Sequence, residues 1–125
     1  MFDFWRKKRA PRVALPDGIA PRDFFTRIYD KNLWTGKESL SGIGSEGEAA
    51  AQKIAIFQTL LNEFGIASLL DLGCGDFYWM QEIAPGLQCY HGVDVVKHVV
   101  RRNQLRYGSR KVTFQCLDLS NPRDQ

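Results

Sequence analysis

Short apolar runs separate longer amphipathic stretches along most of this chain. Leu69, Leu70 and Leu72 form the clearest run, which is typical of a parallel strand that is covered on both faces. Similar runs at 89–94 and 111–117 predict a second and a third strand. Helical spacing before and between these runs gives an alternating order of helices and strands. This order predicts an α/β fold with a doubly wound parallel sheet.

The longest amphipathic stretch lies just before the first strand. Ser45 and Glu48 fit a capping box, in which both side chains bond to the backbone at the start of a helix. The helix is predicted to run to about Phe64 and to end at Gly65. Its predicted core face consists of Ala50, Ile54, Phe57, Leu61 and Phe64.

Three further stretches are predicted to be helical. The first covers 21–33, where Pro21 suits the first helical turn. The second covers 77–83, directly after the first strand and its turn. The third begins after the second strand and repeats apolar residues at helical spacing. Its predicted buried residues are Val96, Val99, Val100 and Asn103.

A glycine-rich turn follows the first strand. Gly73 and Gly75 allow a tight turn and a close approach of the backbone to a ligand. Asp71 precedes both glycines, and Asp94 ends the second strand about 20 residues further on, where an acid accepts hydrogen bonds from ribose hydroxyls. An aspartate at the end of this strand also suits the start of the following helix. The sequence therefore predicts a nucleoside site at the carboxyl edge of the sheet.

The string Asp71-Leu-Gly-Cys-Gly-Asp76 resembles motif I of the class I S-adenosylmethionine (SAM) methyltransferases. This resemblance implies a Rossmann-like doubly wound sheet, SAM as the cofactor and methyl transfer as the activity. The dinucleotide-binding oxidoreductases are one alternative, but their G-x-G-x-x-G/A fingerprint puts the bulky Tyr78 where close helix packing needs a small residue. A non-catalytic SAM-binding or interaction module with the same fold is the other alternative.

A segment rich in serine and glycine carries a second resemblance. Between Trp34 and Ser45 the sequence W-T-G-K-E-S-L-S-G-I-G-S is similar to a W-G-x-x-E-S-x-S-G-x-G-S signature of a small group of bacterial methyltransferases, with Thr35 as the departure. In that group the segment lies over the cofactor side of the sheet. The resemblance implies that the residues near the cofactor are Ser41, Gly42, Gly44 and Ser45. A plain surface loop is the alternative.

The resemblance also implies cofactor contacts at the ends of all three strands. Those of the first two strands are Asp71, Gly73, Cys74, Gly75, Asp94 and Val95. Asp118 and Leu119 follow the third strand at the position that holds the adenine base in class I methyltransferases, although Asp118 also suits a simple turn. We expect Cys74 to be a small neighbour of the ligand rather than a nucleophile. Asp76 is expected either to support the turn or to face the substrate.

The methyl acceptor and the catalytic base cannot be chosen from the sequence. No residue is a convincing base, so no catalytic residue is assigned. A glycan, a small metabolite, a lipid or a protein would suit the motifs equally well as the acceptor.

Composition is that of an ordinary globular domain with a charged end. The chain has 125 residues, 44% of them hydrophobic, and a formal net charge of +3. Residues 1–20 are predicted to be a basic, flexible tail, and 21–125 to be the SAM-binding domain. Such a tail either stays solvated or contacts a membrane surface or a nucleic acid. Its basic cluster consists of Arg6, Lys7, Lys8, Arg9 and Arg12.

The spacing of cysteine and histidine argues against a disulfide-stabilised protein and against a metal-binding protein. Cys74, Cys89 and Cys116 form neither a disulfide framework nor a metal-binding pair. His91 and His98 lack metal-ligand spacing, so no metal is predicted. No apolar run approaches the roughly 18 residues expected of a membrane span. Together with the absence of a secretory signal pattern, these features predict a cytoplasmic protein.

The third strand lies close to the end of the sequence. Class I methyltransferases continue beyond it, and a fourth strand normally covers the outer edge of the first. We therefore expect a domain that is truncated after the third strand, or a sheet that a second chain completes. An open edge of this kind also allows self-association by strand pairing.

Overall fold

The computed structural model describes residues 16–124. The basic cluster predicted near the N-terminus lies outside these residues. Within the described residues, three helices and three strands make up the regular structure, and short 3-10 turns connect them. In chain order they are α1 Pro21–Lys31, α2 Gly47–Glu63, β1 Ser68–Leu72, β2 Cys89–Asp94, α3 Lys97–Tyr107 and β3 Val112–Cys116.

The strands form one parallel sheet in the order β1-β2-β3. Leu70 pairs with His91, which in turn pairs with Thr113, so these side chains share one face of the sheet. Because all strands are parallel, their carboxyl ends meet at one edge, as a ligand site in an open α/β sheet requires. The predicted Rossmann-like α/β fold is confirmed.

The opposite face of the sheet carries the core. Phe77 lies at its centre, with ring centroids 5.2 Å from Tyr90, 5.0 Å from Tyr107 of α3 and 5.0 Å from Phe114 of β3. Such aromatic contacts stabilise a core beyond the burial of their area. Leu69 of β1 packs against the same cluster. The remaining members come from α2, β3 and the connection after β1, and they are Ile54, Phe57, Leu61, Trp79, Met80, Ile83, Ala84, Leu87 and Val112.

The apolar spacing predicts α3 better than it predicts α2. In α2 Ala50 is buried, and Ile54, Phe57 and Leu61 pack against the core as predicted. Phe64 follows the last residue of the helix and is 68% exposed, so its predicted place on the core face is wrong. The predicted buried positions of α3 are confirmed, and they are Val96, Val99, Val100 and Asn103.

In the part of the chain that the structure describes, no helix is both long enough and apolar enough to cross a bilayer.

The prediction that β1 is covered on both faces is wrong for the described residues. Leu69 faces the core, but Leu70 is 60% exposed and Leu72 is 56% exposed. Both lie on the face that also carries His91 and Thr113. An apolar run reports only that burial is favourable, whereas the cover itself must come from other elements.

The predicted capping box is also wrong. Ser45 belongs to the 3-10 turn Ile43–Ser45, where its N–H donates to the carbonyl of Gly42 at 2.9 Å. The chain becomes extended only at Glu46, with φ −134° and ψ 170°, and this residue precedes the first turn of α2. The carboxylate of Glu46 does not cap the helix but turns back to the preceding loop.

The described residues between the glycine turn and β2 contain no α-helix. The helix predicted at 77–83 is replaced by two 3-10 turns, Met80–Glu82 and Ala84–Gly86. Phe77 has a φ of +63°, outside the right-handed helical region, and burial of its ring in the core accompanies this conformation. Pro85 lacks an N–H and cannot continue a helix from the preceding residues.

Candidate functional site

The glycine turn is bonded to the end of the neighbouring strand. The N–H groups of Gly73 and Cys74 both donate to the carbonyl of Val93, at 2.8 and 3.0 Å. Gly73 has a φ of +85° and Gly75 a φ of +58°, which glycine adopts without strain. The turn therefore presents its backbone at the carboxyl edge of the sheet, between β1 and β2.

Gly75 is held by contacts from three directions. Its N–H donates to Oδ2 of Asp94 at 2.9 Å, and its carbonyl accepts a hydrogen bond from Nδ2 of Asn103 at 2.7 Å. A β-carbon at Gly75 would overlap the hydroxyl oxygen of Ser41 and lie 2.8 Å from that of Tyr29. The close approach of these two hydroxyls therefore requires glycine at this position.

Asp76 joins the turn to residues 36–46, which we call the clamped loop. Its carboxylate is 8% exposed and accepts hydrogen bonds from the N–H of Leu40 at 2.8 Å and from the hydroxyls of Ser39 and Ser41 at 3.0 Å. The N–H of Asp76 donates in return to Oγ of Ser41 at 3.1 Å. Of the two roles expected of Asp76, these contacts show support of the turn.

Glu46 holds the other end of the clamped loop. Its carboxylate accepts three hydrogen bonds from consecutive backbone N–H groups, at 3.1 Å from Lys37, 2.6 Å from Glu38 and 2.9 Å from Ser39. These three bonds lower the pKa of the Glu46 carboxyl, with the Ser39 N–H as the largest cause. The carboxylate thus satisfies backbone groups that no helix or strand pairs.

A cavity of about 430 Å³ opens between the carboxyl ends of the strands, α1 and the clamped loop. This volume lies in the usual range for small-molecule sites. Most of the predicted cofactor residues meet at its wall, although the sequence separates them widely. Those that line the cavity are Ser41, Ser45, Gly73, Gly75, Asp94, Val95, Asp118 and Leu119. Their contact with a ligand stays a prediction.

Four residues expected near the cofactor lie behind or beside this wall. Gly42 is buried, and a β-carbon there would lie 3.0 Å from Cβ of Trp34. Gly44 belongs to the exposed 3-10 turn before α2. Asp71 accepts a hydrogen bond from the Tyr90 hydroxyl at 2.7 Å, and burial raises the pKa of its carboxyl.

Cys74 is the fourth of these residues and lies beneath the turn. Its side chain is buried, with 9% of the residue exposed. Burial raises the pKa of its thiol well above the ordinary range, and the nearby aspartates act in the same direction. A thiol that stays protonated is a poor nucleophile. The chemistry of Cys74 therefore agrees with its expected role as a small structural neighbour.

An aromatic wall on the side of α1 was not predicted from the sequence. Phe25, Tyr29 and Trp34 line the cavity, and the Trp34 ring centroid lies 6.1 Å from that of Phe25 and 5.9 Å from that of Tyr29. The Tyr29 hydroxyl shares a 2.8 Å hydrogen bond with Ser41, while burial raises its pKa. The spacing of Phe25 and Tyr29 by four residues was the available signal. The other lining residues missed are Pro21, Val93, Leu117 and Ser120.

Two aspartates face the cavity from neighbouring strand ends. Oδ1 of Asp94 accepts a hydrogen bond from the N–H of Val96 at 3.0 Å. Oδ1 of Asp118 accepts hydrogen bonds from the hydroxyl and the N–H of Ser120, at 2.6 and 3.0 Å. The hydroxyl is the main cause of the lowered pKa of Asp118. Each carboxylate therefore accepts hydrogen bonds from its own turn while it faces the cavity, and Asp94 also accepts the N–H of Gly75.

The charge of the cavity wall selects for a class of ligand. Among the described residues that line the cavity, Asp94 and Asp118 are acidic and none is lysine or arginine. Carboxylates accept hydrogen bonds from hydroxyls and amines, and aromatic faces attract cations. The wall thus suits a ligand with hydroxyl and amine donors and a positive centre. Within residues 16–124, no group of three or more His, Cys, Asp or Glu side chains is arranged to hold a metal ion.

Comparison with known proteins finds similarity in fold but not in sequence. No protein-family model and no curated protein matches the chain. A SAM-dependent methyltransferase from Anabaena variabilis ATCC 29413 superposes with a TM-score of 0.60 and 18% identity, over 94% of this chain and 46% of that one. The magnesium protoporphyrin IX methyltransferase of Synechocystis PCC 6803, solved with bound SAH, gives 0.53 and 20%, over 80% of this chain and 51% of that one. The chain therefore has the fold of these proteins and spans about half their length.

Proposed function

We propose that this chain binds SAM and forms the cofactor-binding part of a methyltransferase. The observation that carries the proposal is the 2.9 Å hydrogen bond between the N–H of Gly75 and Asp94. It joins the glycine turn of β1 to the acidic end of β2 beside a cavity large enough for a nucleoside. The similar solved structures support the same assignment, because both are named as methyltransferases.

The cavity wall fits the chemical groups of SAM. Asp94 would accept hydrogen bonds from the ribose hydroxyls, and Asp118 with Leu119 would hold the adenine base. Ser41 and Ser45 would approach the amino acid end of the cofactor. Aromatic rings and carboxylates would also favour its sulfonium charge. The cofactor supplies a methyl group for direct displacement by an acceptor, so catalysis rests mainly on aligning the two reactants.

The segment that follows the glycine turn argues against the dinucleotide-binding alternative. In the Rossmann fingerprint, the pyrophosphate binds at the N-terminus of the α-helix that follows the glycine turn. Here the described residues between Gly75 and β2 form 3-10 turns instead of an α-helix. Tyr78 at the sixth fingerprint position donates its hydroxyl to Glu38 of the clamped loop at 2.9 Å. The helix dipole that would bind a pyrophosphate is therefore missing from this part of the chain.

Calorimetric titration with S-adenosylhomocysteine tests the proposal. We expect saturable binding to the full chain and no binding of NADH. Asp94→Asn removes the charge but keeps the shape of the side chain, and it should weaken binding about tenfold to hundredfold, as expected for a charged acceptor. Asp23→Asn is the matched control, because Asp23 is an exposed residue of α1 that does not line the cavity.

Each outcome of this titration supports or contradicts the proposal. Binding that Asp94→Asn weakens and Asp23→Asn leaves unchanged supports it. A folded chain that binds NADH but not S-adenosylhomocysteine contradicts the choice of cofactor. Binding that is indifferent to Asp94→Asn contradicts the assignment of the ribose contact.

A further inference from the structure

We propose that Glu46 and Asp76 are positioning residues, which hold the clamped loop in its ligand-binding arrangement before a ligand arrives. This inference rests on the proposed function. Neither carboxylate lines the cavity, whereas Ser41 and Ser45 of the same loop do. Glu46 and Asp76 would therefore act on the ligand only through the loop.

The backbone of the clamped loop depends on these two carboxylates. Glu46 accepts the N–H groups of Lys37, Glu38 and Ser39, and Asp76 accepts that of Leu40. Four consecutive backbone donors thus bond to side-chain carboxylates rather than to a helix or a strand. Hydrogen bonds to a charged acceptor are stronger than those between neutral groups.

The same network sets the position of the Ser41 hydroxyl. Oγ of Ser41 lies 3.0 Å from Oδ1 of Asp76, 3.1 Å from the N–H of Asp76 and 2.8 Å from the Tyr29 hydroxyl. The Ser41 N–H also donates to Oγ of Ser39 at 3.1 Å. Each of these contacts keeps Ser41 against the glycine turn. All of these contacts are made by groups of the chain itself.

Preorganisation of this kind has a measurable consequence for affinity. A loop that is already ordered spares the ligand the entropic cost of ordering it. If a substitution leaves the binding arrangement only fractionally populated, the apparent Kd rises by the inverse of that fraction. Loss of a carboxylate that never touches the ligand should therefore weaken binding.

Glu46→Gln and Asp76→Asn test this proposal in the full chain. Each substitution removes the charge and one acceptor oxygen, so the three N–H groups at Glu46 can no longer all be satisfied. We expect Glu46→Gln to raise the Kd for S-adenosylhomocysteine about tenfold and to speed amide hydrogen exchange at 37–39. Exchange in β2 and α3 should stay unchanged. Glu48→Gln is the matched control, because Glu48 lies nearby in α2 and bonds only to Gln52 among the described residues.

The two readouts separate failure of this inference from failure of the proposed function. If the wild-type chain does not bind S-adenosylhomocysteine, the proposed function fails, and the positioning role that rests on it falls as well. If the wild type binds and Glu46→Gln binds equally well, the positioning role is overturned. The role is also overturned if exchange at 37–39 is the same in both proteins. If Asp76→Asn does not fold, Glu46→Gln still tests the proposal, because Glu46 is only partly buried and accepts three of the four backbone N–H groups.

Discussion

The carboxyl edge of the sheet differs from the face that carries Leu70, Leu72 and His91, which we call the outer face. At the carboxyl edge, Asp76 and Asp94 are bound by backbone and hydroxyl groups from several segments. On the outer face, Leu70 and Leu72 are more than half exposed, and the ring of His91 bonds to the side chains of Thr113 and Gln115 in β3. The first region has an ordered polar network, and the second exposes two apolar side chains of β1 that no described element covers.

This difference shows which residues fix the candidate site. The polar network specifies one arrangement, because each of its buried groups would be costly without its partner. The exposed leucines bury little area, so their substitution removes little packing. Surface substitutions of this kind usually change the free energy of unfolding by less than about 0.5 kcal/mol. Substitutions at the carboxyl edge should therefore have much larger effects than equally drastic ones on the outer face.

The largest effect is expected for Gly75→Ala. The added methyl group would overlap Ser41 and crowd Tyr29, and the φ of +58° is unfavourable for alanine. We expect a loss of about 3 kcal/mol or more in the free energy of unfolding, together with loss of ligand binding. Urea denaturation measures the first effect. Gly86→Ala is the control, because nothing lies within 4 Å of a β-carbon at Gly86, and an equal loss there would contradict the steric explanation.

Asn103→Ala should have the next largest effect. Asn103 is fully buried, and its amide donates to the carbonyl of Gly75 at 2.7 Å. Its removal leaves that carbonyl without the donor, which typically costs about 1–3 kcal/mol. The unpaired Oδ1 of Asn103 offsets part of this loss when it is removed. Thermal unfolding of Asn103→Ala beside Asn62→Ala, a surface variant in α2, measures the difference, and equal melting temperatures would refute the role of Asn103.

Acidification should release the clamped loop without unfolding the core. The pKa of Glu46 is lowered in the folded protein, so its contribution to stability is present above the ordinary glutamate pKa, about 4.3. That contribution is lost as the pH falls through the lowered folded value. Amide NMR signals of Lys37, Glu38 and Ser39 should therefore shift only in acid below that ordinary value. Glu46→Gln should abolish the shift, and a titration that persists in this variant would assign it to another group.

The smallest effect is expected on the outer face. Leu70→Lys and Leu72→Lys should change the free energy of unfolding by less than about 0.5 kcal/mol, whereas Leu69→Lys should destabilise the core strongly. Self-association through the open edge of β1 stays a prediction. A charged residue in place of Leu70 on this strand should reduce it. Sedimentation velocity of the wild type and Leu70→Lys measures both mass and its dependence on concentration. A large loss of stability in Leu70→Lys would mean that this face is covered after all.

The parts predicted well from the sequence follow rules that act over short distances along the chain. An apolar strand, a glycine turn and an acid at the end of the next strand predict where Gly75 and Asp94 lie, because parallel strands share one edge. The helical spacing likewise places Val99 in the core. These features depend on local conformation and on the topology of the sheet.

The parts that were missed depend on contacts between distant segments. Phe25 and Tyr29 face the cavity because α1 packs beside the strand ends, which spacing alone does not reveal. Ser45 and Glu48 fit a capping box, but the helix begins at Gly47, and the carboxylate of Glu46 before it bonds to loop amides. Leu70 is apolar, yet no described element covers it. In each case the sequence shows a preference, and the tertiary partner decides the outcome.

The most direct test of nucleoside binding at the carboxyl edge is an NMR titration of the full chain with S-adenosylhomocysteine. Backbone amides should shift in a saturable manner at Gly75, Val95 and Leu119, which line the cavity. The amide signals of Leu70 and His91, which lie on the outer face, should not shift. Saturable shifts confined to the first set would support the proposed site. Shifts concentrated around Leu70 and His91, or no saturable shifts in a folded protein, would contradict it.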